Sequence, residues 1–204
     1  MIGIVNYGSG NIQAIANIYN RLNVPYRIID DPNHLREVEK LILPGVGAFD
    51  ATMKELVKSG LRDALNEEVM VLNKPVLGIC VGMQILSEGS EEGMLEGLGW
   101  IKGYVKKFDV DKIKEKPFLP HMGWNSVEPE TEHTLFSGID NKLGFYFVHS
   151  YYFHPSNTEN ILSTTFYGEK FSSTVYKNQI FGVQFHPEKS HSNGIQLLSN
   201  FARL

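Results

Sequence analysis

Residues 75–86 read PVLGICVGMQIL, and this stretch holds the only cysteine of the chain, Cys80, between Gly78 and Gly82. PVLGIC is a short apolar run suited to a buried strand, and MQIL has the residues of a helix. A strand that turns sharply into a helix is the repeating unit of an open α/β sheet, where reactive side chains gather at the carboxyl ends of the strands. The pattern G-x-C-x-G is the G-x-S-x-G nucleophile elbow with sulfur in place of oxygen. Glycines flank the reactive residue because such a turn brings neighbouring backbone too close for a side chain. The N–H groups opening the helix then face the sulfur, and their partial positive charge favours its ionised form. The N–H of Val81 is placed to receive a developing oxyanion. The competing reading is a free cysteine acting as a small buried hydrophobe.

Outward from this corner, the first half alternates short β-branched runs with helical patterns. IGIVNY reads as a strand, NIQAIANIYNRLN as a helix with Ile12, Ile15, Ile18 and Leu22 on one face, and YRIID as a second strand. KLILPG is a third strand, stopped by Pro44, and a helical stretch from Asp50 to Asn73 breaks near Gly60. This order predicts an α/β fold with a mainly parallel central sheet covered by helices on both faces. In the second half GYVKKF, FYFVHSYYF, ILSTTFY, SSTVYK and IFGVQFHP are strand-like pieces of a mixed or antiparallel kind, before a closing helix SNGIQLLSNFARL. DVDKIKEK reads as a solvated charged loop. With no repeat, low-complexity tract or linker, 204 residues predict one domain over 1–204.

Composition excludes several function classes. At 42% hydrophobic and 21% charged residues the chain has ordinary globular usage, and a net charge of −4 gives no footprint for nucleic acid or an anionic membrane. No apolar run approaches the roughly 20 residues that span a bilayer. One cysteine cannot form an internal disulfide, and MIGIVNYGSGN lacks the features of a signal peptide, so the expected compartment is the cytoplasm.

A thiolate nucleophile needs a base with an orienting partner. Of the seven histidines, His186 lies two residues before Glu188 on a strand-like segment, in GVQFHPEKS. In extended chain i and i+2 share a face, so the Glu188 carboxylate can reach the His186 ring while Pro187 restricts the backbone between them. LPGVGAF offers exposed N–H groups between Gly45 and Gly47 for an oxyanion, or is a plain strand-to-helix turn. YGSGN hints at a phosphate loop, but the third glycine of a dinucleotide fingerprint is replaced by Gln13. One cysteine and no H-x-x-x-H pair give a zinc site no local support. Ser150 lacks the elbow glycines, and SEEG looks like a surface turn.

LPGVGAF, GICVGMQ, PHMGWN and GVQFHPEKS occur in an order and spacing that closely resemble the class I glutamine amidotransferases, and within them the glutaminase subunits of imidazole glycerol phosphate synthase. The resemblance covers essentially the whole chain. It implies a flavodoxin-like α/β glutaminase fold, a triad of Cys80, His186 and Glu188, and an oxyanion strand at Gly45, Val46 and Gly47 acting with Val81. It implies that Gln84, Ser150 and Tyr151 hold L-glutamine, with no cofactor and no metal. Asn11, Trp124 and Lys189 would lie toward a partner cyclase, a (β/α)8 barrel that receives ammonia through an internal channel and forms imidazole glycerol phosphate in histidine biosynthesis. EKSH, with His191, looks more like paralogues that supply ammonia for amidating a surface-sugar precursor, so that acceptor stays open. The remaining alternatives are a regulatory subunit that is catalytically silent and a cysteine peptidase on a related fold.

Overall fold

The structure is a computed structural model and describes residues 1–114, 116 and 118–204. The chain runs β1 (Ile2–Val5), α1 (Ile12–Arg21), β2 (Tyr26–Ile29), β3 (Lys40–Gly45), α2 (Phe49–Lys58), α3 (Leu61–Asn66), β4 (Val76–Cys80) and α4 (Val81–Gln84). It continues through β5 (Gly89–Ser90), β6 (Gly103–Lys107), β7 (His121–Asn125), β8 (Glu128–Pro129), β9 (Phe145–His149) and β10 (Tyr151–Pro155). The last elements are β11 (Ile161–Tyr167), β12 (Glu169–Lys177), β13 (Ile180–Val183) and α5 (His191–Arg203). Eight strands form the main sheet in the order β2-β1-β3-β4-β13-β12-β11-β8. The five from β2 to β13 pair in parallel and the rest antiparallel. The α/β class with a mainly parallel sheet and added antiparallel strands is therefore what the chain adopts.

Local sequence accounts for this order. β1 and β4 are buried along their whole length, as expected of parallel strands covered on both faces. α1 turns Ile15, Ala16, Ile18 and Tyr19 inward, with Ile12 and Leu22 packed at the rim, and the Tyr19 hydroxyl donates to the Leu198 carbonyl of α5. Gly60, at φ 75°, ends α2 and begins α3, where the break was expected.

Four expectations need correction. β3 is not stopped by Pro44 but runs through it to Gly45. The Pro44 carbonyl accepts the Tyr7 hydroxyl, so the proline nitrogen faces that same side, beyond Ile42, where the β1 register ends. Its missing N–H therefore breaks no ladder bond. The helix after the elbow is a single turn, Val81–Gln84, and does not extend through MQIL. FYFVHSYYF is two strands, β9 pairing β7 and β10 pairing β6, with Ser150 at the crossing between two small sheets. DVDKIKEK lies partly outside the described residues; within it, Ile113 is buried, so this part is not wholly solvated.

The sheet order positions the chemistry. β4, carrying Cys80 at its carboxyl end, is flanked by β3, which leads into PGVG, and by β13, which leads toward His186. Neighbouring parallel strands thus deliver three sequence-distant loops to one edge.

Candidate active site

The turn at Cys80 is an elbow in geometry as well as in pattern. Cys80 sits at φ 56° and ψ −113°, a conformation that costs a non-glycine residue about 1–3 kcal/mol. The glycines make the turn possible: a Cβ on Gly82 would overlap the Leu43 carbonyl oxygen of β3, and one on Gly78 would come within 2.5 Å of the Gly82 carbonyl oxygen.

Cys80 opens on a cleft of 410 Å³ whose walls include Val46, Gly47, Val81, Gln84, Glu92, Ser150, Tyr151, His186 and Lys189. Gly45 lies behind this wall, paired with Cys80 in the sheet. His186 is buried, and its Nδ1 lies 2.8 Å from Glu188 Oε1. The contact is made across a 3₁₀ turn, Pro187–Lys189, not along an extended strand: β13 ends at Val183. Proline at the first position of that turn supplies the fixed φ. Burial opposes a charge on His186, but the Cys80 sulfur and the Glu188 carboxylate outweigh it and push the pKa up to about 10. His186 Nε2 is nonetheless buried with no partner in hydrogen-bonding geometry, so sulfur and imidazole are near neighbours not yet aligned. Catalytic contacts in ligand-free enzymes are often loose in this way.

Gln84 Nε2 donates to the Tyr151 carbonyl at 3.0 Å and to Gln184 Oε1 at 3.1 Å, tying the elbow to the Ser150–Tyr151 wall. In the PGVG turn, the Val46 N–H donates to Ser9 Oγ at 3.0 Å, and the same hydroxyl donates back to the Val46 carbonyl. The YGSGN loop therefore packs on PGVG: Tyr7 holds Pro44, Ser9 holds Val46, and a Cβ on Gly10 would come within 2.6 Å of Pro44.

Glu92, within the SEEG segment read as a surface turn, reaches the cleft, where its Oε2 accepts the Phe49 N–H at 2.8 Å. Asp50 anchors that turn by accepting from the Met94 and Leu95 N–H groups, contacts that hold its carboxyl below the usual carboxylate range. No local signal marks Glu92, because the residues that place it are some forty positions away. Of the expected outward-facing residues, Asn11 is exposed before α1, Trp124 stacks in parallel on His191 at 5.2 Å, and Lys189 Nζ sits 5.7 Å from the Tyr146 ring centre.

At the cleft wall, His149 Nε2 lies 2.9 Å from His121 Nδ1, both rings buried. Burial pushes the His121 pKa down to about 4; burial, then the neighbouring ring, pushes that of His149 down to about 3. Both stay neutral when folded but protonate near 6.5 in the unfolded chain. The unfolded state thus binds more protons between pH 6.5 and 4, and stability falls as pH drops through that window. The urea midpoint should decline steeply there, and His121→Gln should flatten the slope by about one proton. An unchanged slope would show that the pair is not buried neutral.

Among the described residues no group of three or more His, Cys, Asp or Glu could hold a metal ion, and no helix is long and apolar enough to cross a membrane.

Comparison with known proteins agrees with this geometry. The family model for class-I glutamine amidotransferases matches residues 3–204. The chain is 45% identical to the imidazole glycerol phosphate synthase subunit HisH of Leptospira borgpetersenii, with full coverage of both chains. It is 48% identical to the subunit of the same name from Bdellovibrio bacteriovorus, again over all of both. Among solved structures, a glutamine amidotransferase from Thermotoga maritima superposes with a TM-score of 0.60 at 19% identity, over 92% of this chain and 75% of that one. That likeness shows the fold; full-length identity shows the branch. With a cysteine elbow, a paired His and Glu and this degree of kinship, the chain belongs to the class-I glutamine amidotransferases, among the HisH subunits of imidazole glycerol phosphate synthase.

Proposed function

We propose that this chain is the glutamine-hydrolysing subunit of an imidazole glycerol phosphate synthase, releasing ammonia for a separate barrel subunit in histidine biosynthesis. The observation that carries the reading is Cys80, strained on its elbow, sharing one cleft with a buried His186 that is bonded to Glu188. The Cys80 thiolate attacks the side-chain amide carbon of L-glutamine, and His186, held protonated beside Glu188, gives its proton to the departing ammonia. Water then cleaves the glutamyl thioester with His186 as base, yielding glutamate. Val81 N–H is one donor to the tetrahedral oxyanion; Val46 N–H, in the Gly45–Gly47 turn, is the second. Gln84, Ser150 and Tyr151 hold the substrate, and the Glu92 carboxylate suits its α-ammonium group. Asn11, Trp124 and Lys189 face the partner, a (β/α)8 cyclase.

Glutamate release, measured after the chain is mixed with a barrel subunit of the synthase, tests this. No glutamine turnover in the mixture refutes it. A deletion strain that grows without histidine moves the acceptor to surface-sugar amidation.

The second oxyanion donor is occupied: while Val46 N–H is bonded to Ser9 Oγ it cannot serve an oxyanion. One such donor is worth about 100- to 1,000-fold in kcat. Ser9→Ala should therefore raise partner-free glutamate release about tenfold, part of that range, because the peptide must still rotate. Unchanged release would mean that Ser9 does not restrain the loop.

A further inference from the structure

One buried side chain beside the nucleophile has no part in the chemistry above. Gln184 is fully buried after β13, and its Nε2 lies 3.8 Å from Cys80 Sγ, within range of a hydrogen bond to sulfur. Which end of an amide faces a neighbour must be settled by its other contacts, and here they leave one answer. The Tyr151 carbonyl can only accept, so Gln84 turns its NH₂ group to it, at 3.0 Å. The second N–H of that group meets Gln184 at 3.1 Å, which requires an oxygen there. Gln184 must therefore present Oε1 to Gln84 and its own NH₂ to the sulfur. The opposite flip would set N–H against N–H in a dry interior, leaving groups unsatisfied.

The carbonyl that decides this orientation is fixed from its other side. His149 Nδ1 donates to it at 2.8 Å, so His149 Nε2 carries a lone pair and accepts from His121 Nδ1 at 2.9 Å. His121 Nε2 in turn accepts from Asn125 Nδ2 at 3.1 Å, whose other N–H goes to the Phe166 carbonyl. Every donor from Asn125 to the sulfur is assigned, with no conflict.

We propose that Gln184 is a hydrogen-bond donor to the nucleophile, stabilising the Cys80 thiolate and aiming it into the cleft, and that the Tyr151 carbonyl, through Gln84, fixes its orientation. The inference rests on Cys80 being the nucleophile of the proposed function. A donor to a charged acceptor contributes more than one between neutral groups, and more in a dry site than in water. Because both histidine rings stay neutral well below pH 7, the network keeps its polarity across the working range.

Two variants of the full chain test it. Gln184→Glu keeps shape and the oxygen that Gln84 needs but replaces the N–H at the sulfur with a carboxylate oxygen; Gln184→Met keeps volume and removes the donor. Alkylation of Cys80 by iodoacetamide at pH 8, followed by mass spectrometry, reads the sulfur without turnover. Both folded variants should be alkylated about tenfold more slowly or worse, and kcat for glutamine with a synthase partner should fall at least as far while KM moves less than about twofold. A role in packing alone would leave Gln184→Glu, the isosteric variant, reactive. Wild-type alkylation and kcat in either folded variant overturn the proposal, and if Gln184→Met does not fold, Gln184→Glu decides alone. Failure of the underlying reading looks different: glutamine turnover would then survive Cys80→Ala.

Discussion

Cys80→Ala should abolish glutamate release, a fall of about a millionfold by analogy with loss of a nucleophile in other acyl-transfer enzymes, while leaving the fold intact. The fold survives because the change removes one sulfur atom from a position where the backbone is already set by Gly78 and Gly82. Alanine also fits φ 56° no worse than cysteine does. Synthesis of the cyclic product by the complex should continue when ammonium salts are added, because only the ammonia source has been lost. This pairing separates a catalytic subunit from one that merely steadies its partner. Undiminished glutamine-dependent synthesis in Cys80→Ala would leave the silent-subunit reading standing and remove the thioester mechanism.

Gly82→Ala carries the second large effect, and it acts on fold and chemistry together. The added methyl would occupy the place of the Leu43 carbonyl oxygen, which belongs to a central strand and cannot rotate aside as a side chain can. Overpacking of this kind costs about 3 kcal/mol or more, read as a lowered urea midpoint. Relief requires α4 and β3 to part, which moves the Val81 N–H and the adjacent sulfur relative to PGVG. A displacement of about 1 Å at a reacting centre costs about 100-fold in rate. Gly60→Ala, at positive φ where Gly82 is not, and with nothing within 4 Å of the added methyl, carries backbone strain without a clash and serves as the contrast. It should lose only a fraction of that stability and keep its activity. Damage in Gly82→Ala no greater than in Gly60→Ala would mean that the contact with Leu43 is relieved at little cost and does not explain the glycine at the elbow.

How far the sequence discloses this site depends on the range of the interaction concerned. β1, α1, β2, β3 and β4 were legible because burial on one or both faces writes a period into neighbouring residues. Cys80 and the pair His186 and Glu188 were legible for a related reason: each is a local pattern, and the structure brings them to one cleft. The route by which Glu188 reaches its histidine was not: a proline-initiated turn and an extended strand both bring i and i+2 together, and His-Pro-Glu fits either. The division of FYFVHSYYF between two sheets escaped because alternation records a strand's faces and not its neighbours. Glu92 and Gln184 escaped for a stronger reason. Glu92 bonds Phe49 across 43 positions, and Gln184 meets Gln84 across 100, so neither contact leaves a trace in nearby residues. The family resemblance pointed to the Gly45–Gly47 turn, but not to the engagement of Val46 N–H by Ser9.

The pairing of Gly45 with Cys80 across β3 and β4 sets a limit on how this enzyme can be controlled. The Gly45 and Cys80 backbones are one interstrand step apart, about 4.8 Å, and a central parallel sheet does not stretch. On the proposed assignment of Val46 N–H as a donor, a partner's signal would act by turning that peptide plane in place rather than by moving the strands apart. Rotation about two bonds needs little volume and little work, which suits a throttle better than a hinge.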